Sequence, residues 1–410
     1  MTDVEQPRSA VETESCRPPA LTHLALFVRF LRFGAMAFGG PVAQIAMIRR
    51  ELVEEERWIA GDRFNKLLAV MQVLPGPEAH ELCVHLGIRA KGRWGGVLAG
   101  LGFMLPGLLL MLALAWAYTR LPMRSGPLGA IFLGVQAAVL AVVVRAVHRI
   151  GAHILHDRWL WAVAIGAGAA TFAGASFWIV LPSAGIVYAL ASAGRRGLAA
   201  GVIAAAIGLT LLVGTPQPMS EMGSAARSVA APTAWALFWA GLKGGLLTFG
   251  GAYTAIPFIR HDTVGKGWTT DAAFLDGLGL SSVLPAPLVI FATFVGWMSG
   301  GLTGALAITA GMFLPAFAFS LIFYERLEAV IESKRLQSFL TGVAASVVGV
   351  IAVTIVDLAQ GHAARTSSLA ASALIAAVAL AVLYRWKSKL ATPAVLAVGA
   401  ALGLASLSAG

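Results

Sequence analysis

Charge is what this 410-residue chain has least of: Asp, Glu, Lys and Arg make up 12% of it, about half the share of a soluble globular protein. Connecting segments between its apolar runs are mostly shorter than about 20 residues, which excludes a sizeable soluble catalytic domain. No GxxxxGK[ST] phosphate loop is present, so an ATP-driven pump is not expected. Cysteine is almost absent. Cys16 lies in a polar tail and Cys83 in an apolar run, and two unpaired thiols are expected rather than a disulfide. The first 20 residues are mixed in charge and carry Pro18 and Pro19, without the basic-then-apolar pattern of a secretory signal.

What fills the chain is hydrocarbon. Hydrophobic residues account for 58% of it and the mean hydropathy is +0.80. Apolar stretches of about 15–23 residues recur along nearly the whole length, as needed to cross a hydrocarbon core of about 30 Å. The expected fold is all-α: a polytopic membrane protein in contact with lipid. The net charge of +10 does not point to nucleic acid, because the basic residues sit between apolar runs, where they mark topology.

Thirteen hydrophobic segments are expected: Leu24–Ala46, Leu67–Leu86, Gly96–Tyr118, Leu128–His148, Trp159–Ala173, Phe177–Ser192, Leu198–Val213, Ala234–Ile256, Ala272–Ala292, Leu302–Tyr324, Phe339–Asp357, Leu369–Tyr384 and Pro393–Leu407. If all span, Lys and Arg divide about 18 to 9 in favour of the N-terminal side. If instead the first two segments of each half are re-entrant hairpins, the division sharpens to about 21 to 6. Either way the N-terminus is expected in the cytoplasm and the C-terminus outside. The chain divides into a polar tail (1–22), a first repeat (23–193), a connector (194–233) and a second repeat (234–410).

The repeat is visible on sliding the chain along itself by about 210 residues. Phe38-Gly39-Gly40 falls on Phe249-Gly250-Gly251, Ile48-Arg49-Arg50-Glu51 on Ile259-Arg260-His261-Asp262, and Trp58 on Trp268. Leu74-Pro75-Gly76-Pro77 falls on Leu284-Pro285-Ala286-Pro287, and Leu105-Pro106 on Leu314-Pro315. Six segments, a connector and six segments would invert the second copy. Inverted repeats are the architecture of many secondary transporters, with the cargo site between the copies near the membrane midplane. An intramembrane protease centred on His80 and Glu81 explains neither the duplication nor its paired cations, and a small-anion channel is the nearer alternative. No enzymatic activity is expected.

These motifs resemble the chromate ion transporter family: FGGP after an apolar helix, LPGPEA opening the second segment, the Gly-rich stretch after it and the later Leu-Pro pair. The match covers about 30–107 and 238–316 strongly and is similar to the long, two-domain form. Exchange of roles between the two copies gives alternating access, and the resemblance implies export of chromate across the inner membrane, with coupling to the proton gradient as in an antiporter, and chromate resistance. It extends to sulfate-like oxyanions. Ala252 and Ala286 depart from the pattern, so unequal roles for the halves follow.

Candidate cargo-binding residues are those where helices must break. Phe38, Gly39, Gly40 and Pro41, with Gly250 and Gly251, interrupt apolar segments. The broken ends expose backbone N–H groups and the positive end of a helix dipole to an oxyanion; close packing through small residues is the alternative. Pro75, Gly76 and Pro77, with Pro285 and Pro287, mark a second break at equal depth, read as a gated break lining the pathway or as a kink. Arg32 and Lys243 each stand six residues before an FGG motif. They form a symmetric pair of cations for a dianion, or snorkel to the interface. Glu78, His80 and Glu81 occur in the first copy only and are the proton-coupling candidates, with Asp276 and Asp357 behind them. His80 and His85 are five apart, which does not suit a zinc motif; no metal or cofactor is expected. Trp58 and Trp268 suit interfacial anchoring. Association with further copies of itself stays open.

Overall fold

The computed structural model has helices and no strand among its described residues, which are 16, 18–72, 74–121, 126–213, 231–249, 251–322, 333–386, 388 and 390–407. The first half contains α1 (His23–Ala35), α2 (Gly40–Arg49, extended by a π-helical turn, Arg50–Glu55), α3 (Gly61–Met71), α4 (Glu78–Arg120), α5 (Gly126–Ile154), α6 (Arg158–Phe172) and α7 (Phe177–Ser192). Connector helix α8 (Arg196–Val213) packs on α7. The second half repeats the order. It contains α9 (Ala234–Leu246), a 3-10 turn (Ala252–Ala255), α10 (Ile256–Thr263) and α11 (Asp271–Val283). A second 3-10 turn (Leu288–Ile290), α12 (Phe291–Ile322), α13 (Lys334–Ala363), α14 (Leu369–Arg385) and α15 (Ala391–Leu407) complete it. The two copies also begin alike: Thr22 and Thr233 cap α1 and α9, each accepting a backbone N–H three residues on.

Several stretches read above as single spans are broken in two. Leu24–Ala46 is interrupted at 36–39, where Gly39 and Gly40 both take positive φ (92° and 78°), a conformation that opens the turn without a Cβ clash. The chain then doubles back. Arg32 on α1 pairs with Glu51 beyond α2 at 3.3 Å, and Gln44 donates to Ala37 O at 2.9 Å. Ala234–Ile256 breaks at the matching place, and Lys243 pairs with Asp262 on the returning arm. Leu67–Leu86 and Ala272–Ala292 break at their proline pairs, which cannot continue a helix. Arg89 of α4 reaches back to Trp58 O at 3.1 Å, and the Phe274 and Phe291 rings meet at 5.5 Å.

The long helices α4 and α12 also fold over, at Lys91-Gly92 and Gly300-Gly301, where Gly92 and Gly301 have φ of 63° and 62°. A Cβ on Gly100 would meet the Val84 side chain at 2.7 Å, and the hydroxyls of Thr293 and Thr309 lie 2.7 Å apart. Sixteen residues of straight helix would separate each pair by about 24 Å. Each copy therefore begins with two helical hairpins, with tips at its FGG and Pro-x-Pro motifs, followed by the long outer arm of α4 or α12 and three further helices. Hairpin arms expose little backbone to lipid only because the other half shields their tips. The basic residues 49–66 then share a side with the N-terminal end of α1, as in the hairpin reading. By length and apolarity α4, α5, α12 with its preceding turn, and α13 are long enough to cross a membrane, and α7, α8, α14 and α15 are shorter apolar helices.

The halves are interlaced. As α4 advances from Trp94 to Gly100, its neighbours on α12 recede from Leu321 to Phe317, so these equivalent helices run antiparallel. Gly134 of α5 packs directly on Gly399 and Gly403 of α15, while Gly349 of α13 packs on Ala164 and Gly168 of α6. Small residues allow such backbone approach, which dominates helix association where lipid removes the hydrophobic drive. The main buried cluster draws on both halves. Trp58 is completely buried, with Arg29 over its ring; it is a core residue of the first hairpins rather than an interfacial anchor.

Candidate functional site

The tips of the hairpins converge at the centre. Gly76 N–H donates to Thr248 O at 2.9 Å, joining the first Pro-Gly-Pro tip to the segment entering the second FGG motif. Gln44, just past the first FGG tip, sends a second hydrogen bond to Ala286 O at 2.9 Å, at the tip of the second Pro-x-Pro turn. Its amide is completely enclosed, so it serves as an internal strap between copies.

Beside this junction lies a cavity of about 490 Å³, within the range typical of small-molecule sites. Both FGG regions border it: Pro41 and Val42 from the first, Phe249, Gly251 and Ala252 from the second. The N-terminus of α2, which has no side-chain cap, borders the void through Pro41 and Val42 and brings the positive end of its dipole beside it. Glu78 at the start of α4, Gln72 just past α3, Arg149 and His153 from the end of α5, and His156 and Tyr253 complete the polar lining. Arg149 acts across the space on both Glu78 and Tyr253, and Arg145 acts on Tyr253 as well. Leu340, Thr341 and Ala344 of α13 form the remaining wall. A cation, two helix breaks and imidazoles around a shared void suit an oxyanion.

Other candidates lie off this cavity. Gly250 is outside the described residues. Phe38 is exposed. Pro285 stands at the tip that Gln44 and Gly107 touch, and Pro287 caps the following 3-10 turn. His80 is sandwiched between Phe313 and Phe317, centroids 5.0 and 4.7 Å away. The Glu81 carboxyl is wedged against Gly76 and its oxygens have no hydrogen-bond partner among the described residues. Arg32 and Lys243, read as a cation pair for a dianion or as snorkelling side chains, form ion pairs with Glu51 and Asp262. Among the described residues no group of histidine, cysteine and carboxylate side chains could hold a metal ion.

The opposite face of the same helix pair is shut by polar contacts. Asp276, 2% exposed, accepts from Tyr118 and from Gln136, each at 2.7 Å, and Gln136 Oε1 faces His362 Nδ1 at 3.3 Å. Beside it Arg260 bridges Asp271 at 2.8 Å and Asp357 at 3.3 Å. Aligning the sequences of α5 and α13 through Gly134 and Gly342 pairs the cavity-lining Ala344, Arg149, Ile150 and Ile154 with Gln136, Asp357, Leu358 and His362. Of these counterparts Gln136, Asp357 and His362 take part in the polar contacts of the shut side, and Leu358 is fully buried there.

Arg149 and His153 were not singled out from the sequence, although Arg145, Arg149 and His153 recur at intervals of four, the spacing of one helix face. They stand at the end of an apolar run and read there as topology charges.

Helical hairpins meeting tip to tip between two copies of one unit, around a cationic void, define a multi-pass membrane transporter. A family model described as chromate transporter matches residues 24–198 and 235–404, and the chain belongs to the chromate transporter family. A chromate transport protein of Pseudomonas aeruginosa is 62% identical over 379 residues, covering 92% of this chain and 91% of that protein. A chromate transport protein of Cupriavidus metallidurans is 31% identical, covering 94% of each. A probable chromate transport protein of Synechococcus elongatus is 28% identical, covering 94% of this chain and 96% of that one. No solved structure matches the chain.

Proposed function

We propose that this protein exports chromate, and tetrahedral oxyanions of sulfate type, across the inner membrane by alternating access between inverted repeats, with a proton in the cycle. The observation that carries the reading is the cavity where both FGG tips meet Arg149. In the hairpin arrangement Lys and Arg divide about 21 to 6, which favours a cytoplasmic N-terminus and an outer C-terminus. The end of α5 and the start of α13 are then cytoplasmic, and the void between them is the entry chamber of an inward-open state. The Tyr118–Asp276–Gln136–His362 cluster and the Arg260 bridge close the outer side. Exchange of roles between the pseudo-equivalent ends of α5 and α13 would open that side and shut the other.

Arg149 and the tip N–H groups of Gly40, Val42 and Gly251 hold the oxyanion in this scheme, and Pro41 leaves the first tip open by removing a donor. Glu78, His80 and Glu81 carry the proton. Arg32 and Lys243 keep the hairpins rigid. Moving one elementary charge across 100 mV is worth about 2.3 kcal/mol, so a dianion leaving a cell about 150 mV negative inside gains roughly 7 kcal/mol. Export is the electrically downhill direction. Uptake of radiolabelled chromate and sulfate by inverted vesicles, with and without a pH gradient, tests the reading. Arg149→Gln is expected to reduce uptake at least tenfold, in line with loss of a charge-assisted bond worth about 1.5–3 kcal/mol. Unchanged uptake would remove the cavity from the pathway.

A further inference from the structure

We propose that Glu78 makes oxyanion binding conditional on a proton: the ionised carboxylate and a dianion compete for the field of Arg149, so the chamber takes its cargo together with one proton. The inference rests on the reading of the cavity as the oxyanion site and adds the rule by which that site is filled.

Glu78 lines the same void as Arg149 and both FGG tips, and Arg149 acts on it electrostatically. A carboxylate is the wrong charge for a chamber that admits a dianion. Placed there, it supplies Arg149 with a counter-charge when the chamber is empty and repels the cargo when it enters. A proton on Glu78 removes both effects at once, because it cancels the repulsion and leaves Arg149 for the anion. The two binding events therefore favour one another, and such coupling is reciprocal: the anion raises proton affinity by the factor by which the proton raises anion affinity.

Among the described residues Arg149 is the charged group that acts on Glu78. Arg145, His153 and His156 also face the region from α5 and the loop after it, Tyr253 from the second tip and Gln72 from just past α3. The wall from α13, made of Leu340, Thr341 and Ala344, carries no charge. On its own helix, His80 is held between two phenylalanine rings and Glu81 is walled off behind Gly76. At the equivalent place in the second half stands Leu288, so the device exists once per molecule. The proton travels with the anion in this scheme, in the same direction rather than in exchange as the antiporter expectation has it, and each cycle moves a net charge of −1 rather than −2.

The test uses the purified full-length protein in detergent and chromate as probe, in mildly alkaline solution where chromate is fully dianionic. Calorimetry in buffers of different ionisation enthalpy counts the protons taken up. The wild type is expected to take up close to one proton per chromate, with affinity weakening by up to about tenfold per pH unit. Glu78→Gln, a neutral isostere of the protonated acid, should bind chromate without proton uptake and with little pH dependence. Wild-type binding without proton uptake overturns the inference alone. So does proton uptake retained in Glu78→Gln, or a Glu78→Gln protein with wild-type melting behaviour that no longer binds chromate. Wild-type protein that binds no chromate overturns the site reading itself.

Discussion

Tyr118→Phe removes one oxygen from the cluster on the shut face. Asp276 is almost fully enclosed, and its carboxylate accepts short hydrogen bonds from Gln136 and from Tyr118, each at 2.7 Å. A hydrogen bond to a charged group contributes about 1.5–3 kcal/mol. In an open state water supplies the same service, so the loss falls on the shut state alone. The balance then moves toward opening by a factor of about 10 to 150. Leu358 is the natural reporter, being fully buried and the counterpart of cavity-lining Ile150. With Cys16 and Cys83 replaced by Ser, Leu358→Cys is exposed to a membrane-impermeant thiol reagent from the face opposite the basic loops. Its labelling rate should rise by that factor when Tyr118→Phe is added, while Ile150→Cys becomes less reactive from the other face. An unchanged rate at Leu358→Cys would refute the assignment of this cluster as a lock, and a rise at both reporters would refute mutual exclusion of the two openings.

Three further outcomes are expected. Lys243→Gln strips Asp262 of one cation and leaves it with Lys266 at 3.1 Å; thermal stability should fall while the KM for chromate stays unchanged, and a raised KM with unchanged stability would move Lys243 to the cargo. Gly349→Val drives a side chain into Ala164 O and toward Gly168 N and should cost about 1–3 kcal/mol, seen as a lower melting temperature; a neutral effect would refute the close packing of α13 on α6. Asp157 caps α6 and binds the Tyr188 hydroxyl at 2.8 Å. Burial pushes its carboxyl up, but the Leu160 N–H, the Tyr188 hydroxyl and the Trp159 N–H outweigh this and hold it below its ordinary value. The stabilisation is therefore present at neutral pH and lost as pH falls through the depressed value. Asp157→Ala should cost about 1 kcal/mol at neutral pH, and its melting curve should converge with the wild type's in strongly acidic buffer.

The duplicated breaks were legible in the sequence because glycine and proline constrain the backbone wherever they stand. FGG, Pro-x-Pro and the later glycines mark hairpin tips and bends in both copies. Whether a broken segment crosses or returns was not decided by local pattern, since a 13-residue arm and half of a span have the same composition; the basic residues 49–66 were the sign that favoured return. Arg32 and Lys243 looked like free cations because their partners, Glu51 and Asp262, lie on a returning arm that only the hairpin brings near. Arg149 was hidden for the converse reason: a charge at a helix end looks ordinary until a cavity is found beside it. Nothing local announced that α5 would nest against α15, because Gly134 and Gly399 are 265 positions apart.

That nesting bears on how the protein is made. When the first half has left the ribosome, the groove on α5 that belongs to Gly399 and Gly403 is still empty, and its occupant, α15, emerges more than 200 residues later. Early helices wait in the lipid, incompletely dressed, until that partner arrives. A chain cut before α15 is left with this early seam undone.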